Sequence, residues 1–239
     1  MKSVSIFGAT GSVGLSTIDL VRREPDAYRV VALTAHSDID GLATQAKATG
    51  AQIAVIAQDG LYGALKDALA GSGIEAAAGQ AALVDAAQAG ADWTMAAIVG
   101  CAGLEPTMSA LKSGGTVALA NKESLVMAGN PLARIADETG AVIVPVDSEH
   151  SAIHQCLRGE KGSTVRGIFL TASGGALRDL PLESLDSVTP EQALEHPNWA
   201  MGPRITVDSA TMMNKALEIV EACHLFDLPP DKVHVVLHR

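Results

Sequence analysis

Residues 4–23 read VSIFGATGSVGLSTIDLVRR, and the fold turns on this stretch. Val4–Phe7 is a short apolar run that predicts a buried strand. Gly8, Gly11 and Gly14 follow at the spacing G-x-x-G-x-x-G. Residues 13–23 then predict a helix, with Val13, Ser16, Thr17, Leu20 and Val21 on one face. A strand, a glycine loop and a helix start in this order let the backbone approach a pyrophosphate, whose charge rests on the helix N-terminus. The alternative is a tight strand-to-helix turn with no ligand.

The same alternation continues outward. Apolar runs at 29–35, 52–57, 95–100, 116–120 and 141–146 predict strands. Amphipathic segments at 39–49, 61–69, 81–89, 105–114 and 132–140 predict helices. Strands rich in Val, Ile and Ala, without polar alternation, are buried on both faces, and βα order implies a parallel sheet with helices on each side. The expected fold is α/β: a Rossmann-like doubly wound domain over 1–146, then an α+β domain over 147–239. In the second half, 165–175 predicts a strand. Residues 176–204 are polar, hold Pro181, Pro190, Pro197 and Pro203, and predict a loop around a short helix. Residues 205–226 predict a strand leading into a helix with an apolar stripe of Ala210, Met213, Leu217 and Val220. A final strand is predicted at 232–239. A chain that stops on a strand is expected to be part of something longer.

The totals narrow the class. The chain has 239 residues, 48% of them hydrophobic, enough for one large domain or two smaller ones. Net charge is −10 and aromatic content 3%, and no basic run is longer than Arg22–Arg23, so no nucleic-acid partner is expected. Cys101, Cys156 and Cys223 show no CxxC spacing, which predicts reduced thiols and no zinc. No apolar stretch has the length of a membrane span. The first residues run straight into a strand, so no signal peptide is expected and the location expected is cytoplasmic.

Six short motifs carry chemistry. At 35–38, AHSD closes the second predicted strand, where a dinucleotide's ribose would lie. His36 and Ser37 suit a 2′-phosphate, whereas Asp38 suits either a bare ribose or a helix N-cap. At 120–125, ANKESL puts Asn121, Lys122 and Glu123 at the exit of a parallel strand. At 145–150, PVDSEH places Asp147 and Glu149 two apart; in an extended segment both would point the same way and favour a cation between them. Asn214 and Glu218, four apart on a helix with Lys215 beside them, offer a further carboxylate. Oxygen donors of this kind suit Mg²⁺ or Mn²⁺. The competing reading makes Asp147 or Ser148 a helix cap, with Glu149 in the first turn. Ser173 of SGG, with Ser209, Asn214 and Lys215 of DSATMMNK, forms a plausible phosphate site. HPNW, at 196–199, reads either as a packed turn or as the tip of a lid.

Taken in order, GATGSVG, ANKESLV, PVDSEH, TASGG, HPNW and VDSATMMNKALE resemble the 1-deoxy-D-xylulose 5-phosphate reductoisomerase family across the whole chain. The resemblance implies NADPH and a divalent cation (Mg²⁺, Mn²⁺ or Co²⁺) as cofactors, a small phosphorylated sugar as substrate, and a homodimer when complete. It implies Asp147, Glu149 and Glu218 as metal ligands. Lys122, Ser148, Glu149, Ser173, His196, Ser209, Asn214, Lys215 and Glu218 would hold substrate, with Lys122 and the three acids catalytic. Thr10, Gly11, Ser12 and Val13 would bind the coenzyme, with His36, Ser37 and Asp38 at the ribose and Asn121, Glu123 and Gly202 nearer the nicotinamide. The family implies rearrangement of the sugar skeleton to an aldehyde, then hydride reduction. Family members continue beyond the last strand, so the second domain is expected to be incomplete. Two rivals stand: a semialdehyde dehydrogenase using Cys156 with His154, and a domain that binds coenzyme without turnover.

Overall fold

The computed structural model describes residues 1–238. The chain divides into two compact units, Met1–Asp147 and the residues from Ser148 onward. In the first unit the order is β1 (Lys2–Phe7), α1 (Ser12–Arg23), β2 (Tyr28–Ala35), α2 (Ile39–Thr49), β3 (Ile53–Ile56), α3 (Tyr62–Ala68), β4 (Glu75–Ala78), α4 (Gly79–Gln88), β5 (Trp93–Ala96), α5 (Leu104–Lys112), β6 (Thr116–Leu119), α6 (Lys122–Thr139) and β7 (Val142–Pro145). The seven strands form one sheet in the order β4-β3-β2-β1-β5-β6-β7. Every pairing is parallel. The strand order reverses between β1 and β5. Right-handed crossovers then send the helices to opposite faces of the sheet on the two sides of that point, and the crevice beyond the β1 and β5 ends is where such sheets take ligands.

The core on one side is aliphatic: Ile6, Ile18, Leu33, Leu42, Ile56 and Leu65 are all buried. In α1 the buried residues are Gly14, Ile18 and Val21, while Leu20 is 62% exposed. The expected face was therefore misplaced by part of a turn. The packing of Gly14 on the loop decides the rotation. Strand β4, EAAA, was not expected from sequence. Alanine has no β preference, and only pairing with β3 through Ile53–Ile56 makes this segment a strand. Helix α6 is kinked at Ala128 (φ −144°, ψ 33°), because Pro131 lacks an N–H and its ring clashes one turn back.

The second unit contains α7 (Ser148–Leu157), β8 (Ile168–Ala172), α8 (Pro190–Leu194), α9 (Pro203–Ala210), α10 (Met213–Phe226) and β9 (Val233–Leu237). Strands β8 and β9 pair in parallel, Ile168 opposite Val233. Ile168, Leu170, Ala222, Leu228 and Val233 form its apolar core. The strand expected over ITVD at 205–208 is a helix instead. Gly202 sits at its N-cap and Pro203 at its first position, a helix opening that outweighs three β-branched residues in a row. The expected stripe on α10 is also wrong as a core face. Met213 is 52% and Val220 37% exposed, whereas Lys215, Glu218 and Glu221 are at most 6% exposed. This helix buries its charged side.

Candidate functional site

The glycine loop in the first unit is shaped by close backbone approach. Gly8 has φ +86°, and a Cβ there would come within 2.5 Å of the Ala97 carbonyl oxygen, just past β5. A Cβ on Gly14 would overlap the Gly8 carbonyl. The Gly11 N–H donates to the Gly8 carbonyl at 3.1 Å, closing the turn. Gly11 is the N-cap of α1 and supplies no side-chain acceptor to the first-turn N–H groups. Thr10 and Val13 are half-buried, Gly11 and Ser12 exposed. The result is a tight glycine turn at the switch point, opening onto the N-terminus of α1. It fits a pyrophosphate.

At the exit of β2, His36, Ser37 and Asp38 are all exposed. The Asp38 side chain accepts the Gly41 N–H at 2.9 Å and caps α2. Its carboxylate is thereby turned into its own helix. Gln58 lies 3.3 Å from the His36 ring. Beyond β6, Asn121 is 1% exposed and caps α6, accepting the Ser124 N–H at 2.8 Å. Its amide donates to the carbonyls of Ile98 and Gly100, the latter at 2.9 Å. The Asn121 side chain thus pins the loop after β5, so any bond it makes to a coenzyme falls to its backbone. Glu123 stands half-buried in the first turn of α6. The Lys122 ammonium pairs with Asp147 at 2.5 Å, both side chains less than one-fifth exposed.

The second unit gathers the other expected groups. Helix α7 starts at Ser148, so Glu149 lies in a helical first turn and the extended-chain argument for Asp147 and Glu149 does not apply. From there Glu149 Oε1 accepts from the Lys215 ammonium at 2.8 Å. Lys215 also donates to the Thr171 carbonyl at 2.7 Å and to Glu218 Oε2. Asn214 Nδ2 donates to Glu218 Oε1 at 2.5 Å, and Ser148 Oγ to Glu149 Oε2 at 2.6 Å. Burial pushes the Glu149 carboxyl up, but the bonds from Lys215 and Ser148 and the Lys215 charge outweigh it and hold the carboxyl below the usual range. Two carboxylates thus converge on a single cation.

A second cluster lies past β8. The Ser173 hydroxyl is 3.2 Å from His196 Nε2. His196 Nδ1 accepts the N–H groups of Asn198 and Trp199, at 3.2 and 3.0 Å. The HPNW turn is therefore built on that nitrogen, and the proton of the neutral ring sits on Nε2, facing Ser173. Gly175 has φ +68°, and a Cβ there would overlap the Ser209 carbonyl, so the SGG loop packs on the end of α9. Gly202, expected at the coenzyme, is exposed at the start of α9. Trp199 is 65% exposed.

Sequence reasoning missed three residues. His150 is fully buried, its Nε2 2.9 Å from the Glu218 carbonyl and its Nδ1 3.5 Å from a Glu221 carboxylate oxygen. Glu221, one turn after Glu218, was the available signal: two acids at i and i+3 share one helix face. Arg178 donates to the Ser173 carbonyl at 2.6 Å and so braces the SGG loop.

Residues 4–129 match the family described as 1-deoxy-D-xylulose 5-phosphate reductoisomerase. Residues 143–226 match the 1-deoxy-D-xylulose 5-phosphate reductoisomerase C-terminal domain. The chain belongs to the 1-deoxy-D-xylulose 5-phosphate reductoisomerase family. The reductoisomerase of Zymomonas mobilis subsp. mobilis is 55% identical over 237 residues, covering 99% of this chain and 61% of that protein. That of Ruegeria pomeroyi is 56% identical over 238 residues, covering 100% and 60%. The structure of the Zymomonas mobilis enzyme in complex with NADPH superposes with a TM-score of 0.93 at 53% identity, over 99% of this chain and 61% of that one. A reductoisomerase in complex with NADPH, fosmidomycin and magnesium gives 0.93 at 40% identity, over 100% and 61%. The chain therefore spans about 60% of the length of the curated relatives it matches. Family membership removes the ground for a semialdehyde dehydrogenase, and Cys156, its required nucleophile, stands exposed on α7. No described helix is long and apolar enough to cross a membrane.

Proposed function

We propose that this chain carries the coenzyme-binding unit (1–146) and part of the catalytic unit (from 147) of an NADPH-dependent reductoisomerase. The reaction converts 1-deoxy-D-xylulose 5-phosphate to 2-C-methyl-D-erythritol 4-phosphate. The observation that carries the reading is the convergence of Glu149 and Glu218 on one cationic group, in a chain of this family. Oxygen donors already gathered around a positive charge fit a hard divalent cation, and the chain-adjacent Asp147 is the third ligand in this reading. When bound, the cation supplies Lewis acidity to the carbonyl and hydroxyl oxygens of the sugar. NADPH supplies the hydride.

The chain's own residues do the rest. The glycine turn seats the pyrophosphate, with Thr10, Gly11, Ser12 and Val13 lining it. His36 and Ser37 meet the 2′-phosphate, and the Asp38 carboxylate, bonded to Gly41, leaves that phosphate room. The family resemblance gives Asn121, Glu123 and Gly202 to the nicotinamide end. Ser173, His196, Ser209, Asn214 and Lys215 hold the substrate phosphate, with Nε2–H of His196 as a donor. Lys122, Ser148 and Glu149 orient the reacting end. Residues 176–204 act as a lid, with Trp199 folding over the substrate to exclude water from the aldehyde. A cytoplasmic homodimer is the setting the family resemblance supports.

Glu218→Gln tests the assignment. Turnover with Mn²⁺ should fall by about 100-fold or more, the upper end for disturbing the partners of a ligand set. NADPH affinity, read by fluorescence, should hold, because no coenzyme group is assigned to α10. A variant that turns over at the parent rate removes Glu218 from the metal shell.

A further inference from the structure

Within the second unit, Lys215 belongs to two sets of groups at once. Its ammonium lies between Glu149 Oε1 and Glu218 Oε2, the oxygens assigned above to a divalent cation. It is also tethered to the Thr171 carbonyl at 2.7 Å. Ser173, which faces His196, comes two residues after Thr171, roughly 7 Å along an extended chain. The four-carbon stem of a lysine is flexible and can re-aim its ammonium when its partners change. The two carboxylates carry two negative charges and the ammonium one positive. A divalent cation placed among the same oxygens competes for them and repels the ammonium.

We infer that Lys215 is a shared cation: loading a divalent metal onto Glu149 and Glu218 releases its ammonium toward Ser173 and His196, so that metal and phosphate bind with positive coupling. This deepens the proposed function and rests on it, adding a link between two sites that the reading leaves independent. In the competing picture Lys215 is a fixed ion pair that a metal joins without moving it. By linkage the coupling is reciprocal: whatever factor Mg²⁺ adds to phosphate affinity, phosphate adds to Mg²⁺ affinity.

The test is calorimetry on the chain as it stands, with Mg²⁺ and inorganic phosphate as probes. Phosphate should bind about fivefold tighter or more with Mg²⁺ present, within the usual range of coupling between sites. In Lys215→Gln that factor should drop to about one, and Mg²⁺ alone should bind more tightly than to the parent, because no ammonium competes for its oxygens. Direct pairing of Mg²⁺ with phosphate in solution would survive in the variant, so only the lost factor counts. Equal coupling in parent and variant, or two ligands that bind independently in the parent, overturns the inference while leaving the functional reading intact. Binding of neither ligand overturns both. Should the variant fail to fold, acylation of Lys215 in the parent serves instead. Its labelling should rise with Mg²⁺ and fall again when phosphate is added, and labelling indifferent to Mg²⁺ contradicts the inference.

Discussion

The Asp38 carboxylate accepts the Gly41 N–H at 2.9 Å, and a Cβ on Gly41 would collide with it. That acid and that glycine form one cap, and the cap favours one of the readings that AHSD leaves open. An acid facing the ribose favours NADH, whereas an acid folded into its own helix leaves His36 and Ser37 to meet a 2′-phosphate. The expected outcome is tighter binding of NADPH than NADH, measured by coenzyme fluorescence. Asp38→Ala should cost about 1 kcal/mol in urea denaturation, the usual value of an N-cap, and should leave the preference for NADPH in place. A preference for NADH in the parent chain would mean that the cap opens when coenzyme binds. The same lesson holds at Glu149. Its role came from spacing in an extended segment, yet it reaches Lys215 from a helical turn. The carboxylate does meet a cation there, the Lys215 ammonium, but from a helix and not from an extended segment.

Helix α10 shows where an element escapes pattern reading. Periodicity finds apolar residues at Met213, Leu217 and Val220 and assigns them to the core. The helix instead buries Lys215, Glu218 and Glu221, because those charges find partners in Glu149, Thr171 and His150 that lie far away in sequence. Spacing cannot register a partner 66 positions away. The glycine loop is the opposite case. Strand, turn and helix are contiguous there, so the turn was legible from residues 4–23 alone. Strand β4 was invisible because alanine carries no preference that outvotes a helix, and α9 was misread because three β-branched residues concealed a Gly-Pro helix start. Asn121 joins two elements, with one side chain capping α6 and pinning the loop after β5. Asn121→Asp keeps the capping acceptor and loses both donors. It should lower stability by about 2–4 kcal/mol, since two carbonyls lose their donor and face a carboxylate. NADPH affinity should fall with it, as the switch-point loop loosens. Denaturant midpoints together with coenzyme titration check this, and an unchanged NADPH affinity would mean that the loop holds its shape without Asn121.

Across the whole molecule there are two units: a parallel sheet with a glycine turn at its switch point, and a smaller unit whose charges are buried around one helix. The parallel sheet and the family were legible because strands, glycines and six motifs occur in sequence. Placement within the second unit was less so, because α7, β8 and α10 meet through groups drawn from three separate segments. The function proposed for these parts is rearrangement followed by reduction of one substrate. Supplying 1-deoxy-D-xylulose 5-phosphate, Mn²⁺ and NADPH deuterated at the transferable hydride position, and analysing the product by mass spectrometry and carbon NMR, tests it most directly. The expected product is branched, 2-C-methyl-D-erythritol 4-phosphate, with one deuterium on the carbon that was the aldehyde, and none formed without Mn²⁺. A straight-chain product reduced at the original ketone, or deuterium left on the coenzyme, would contradict it.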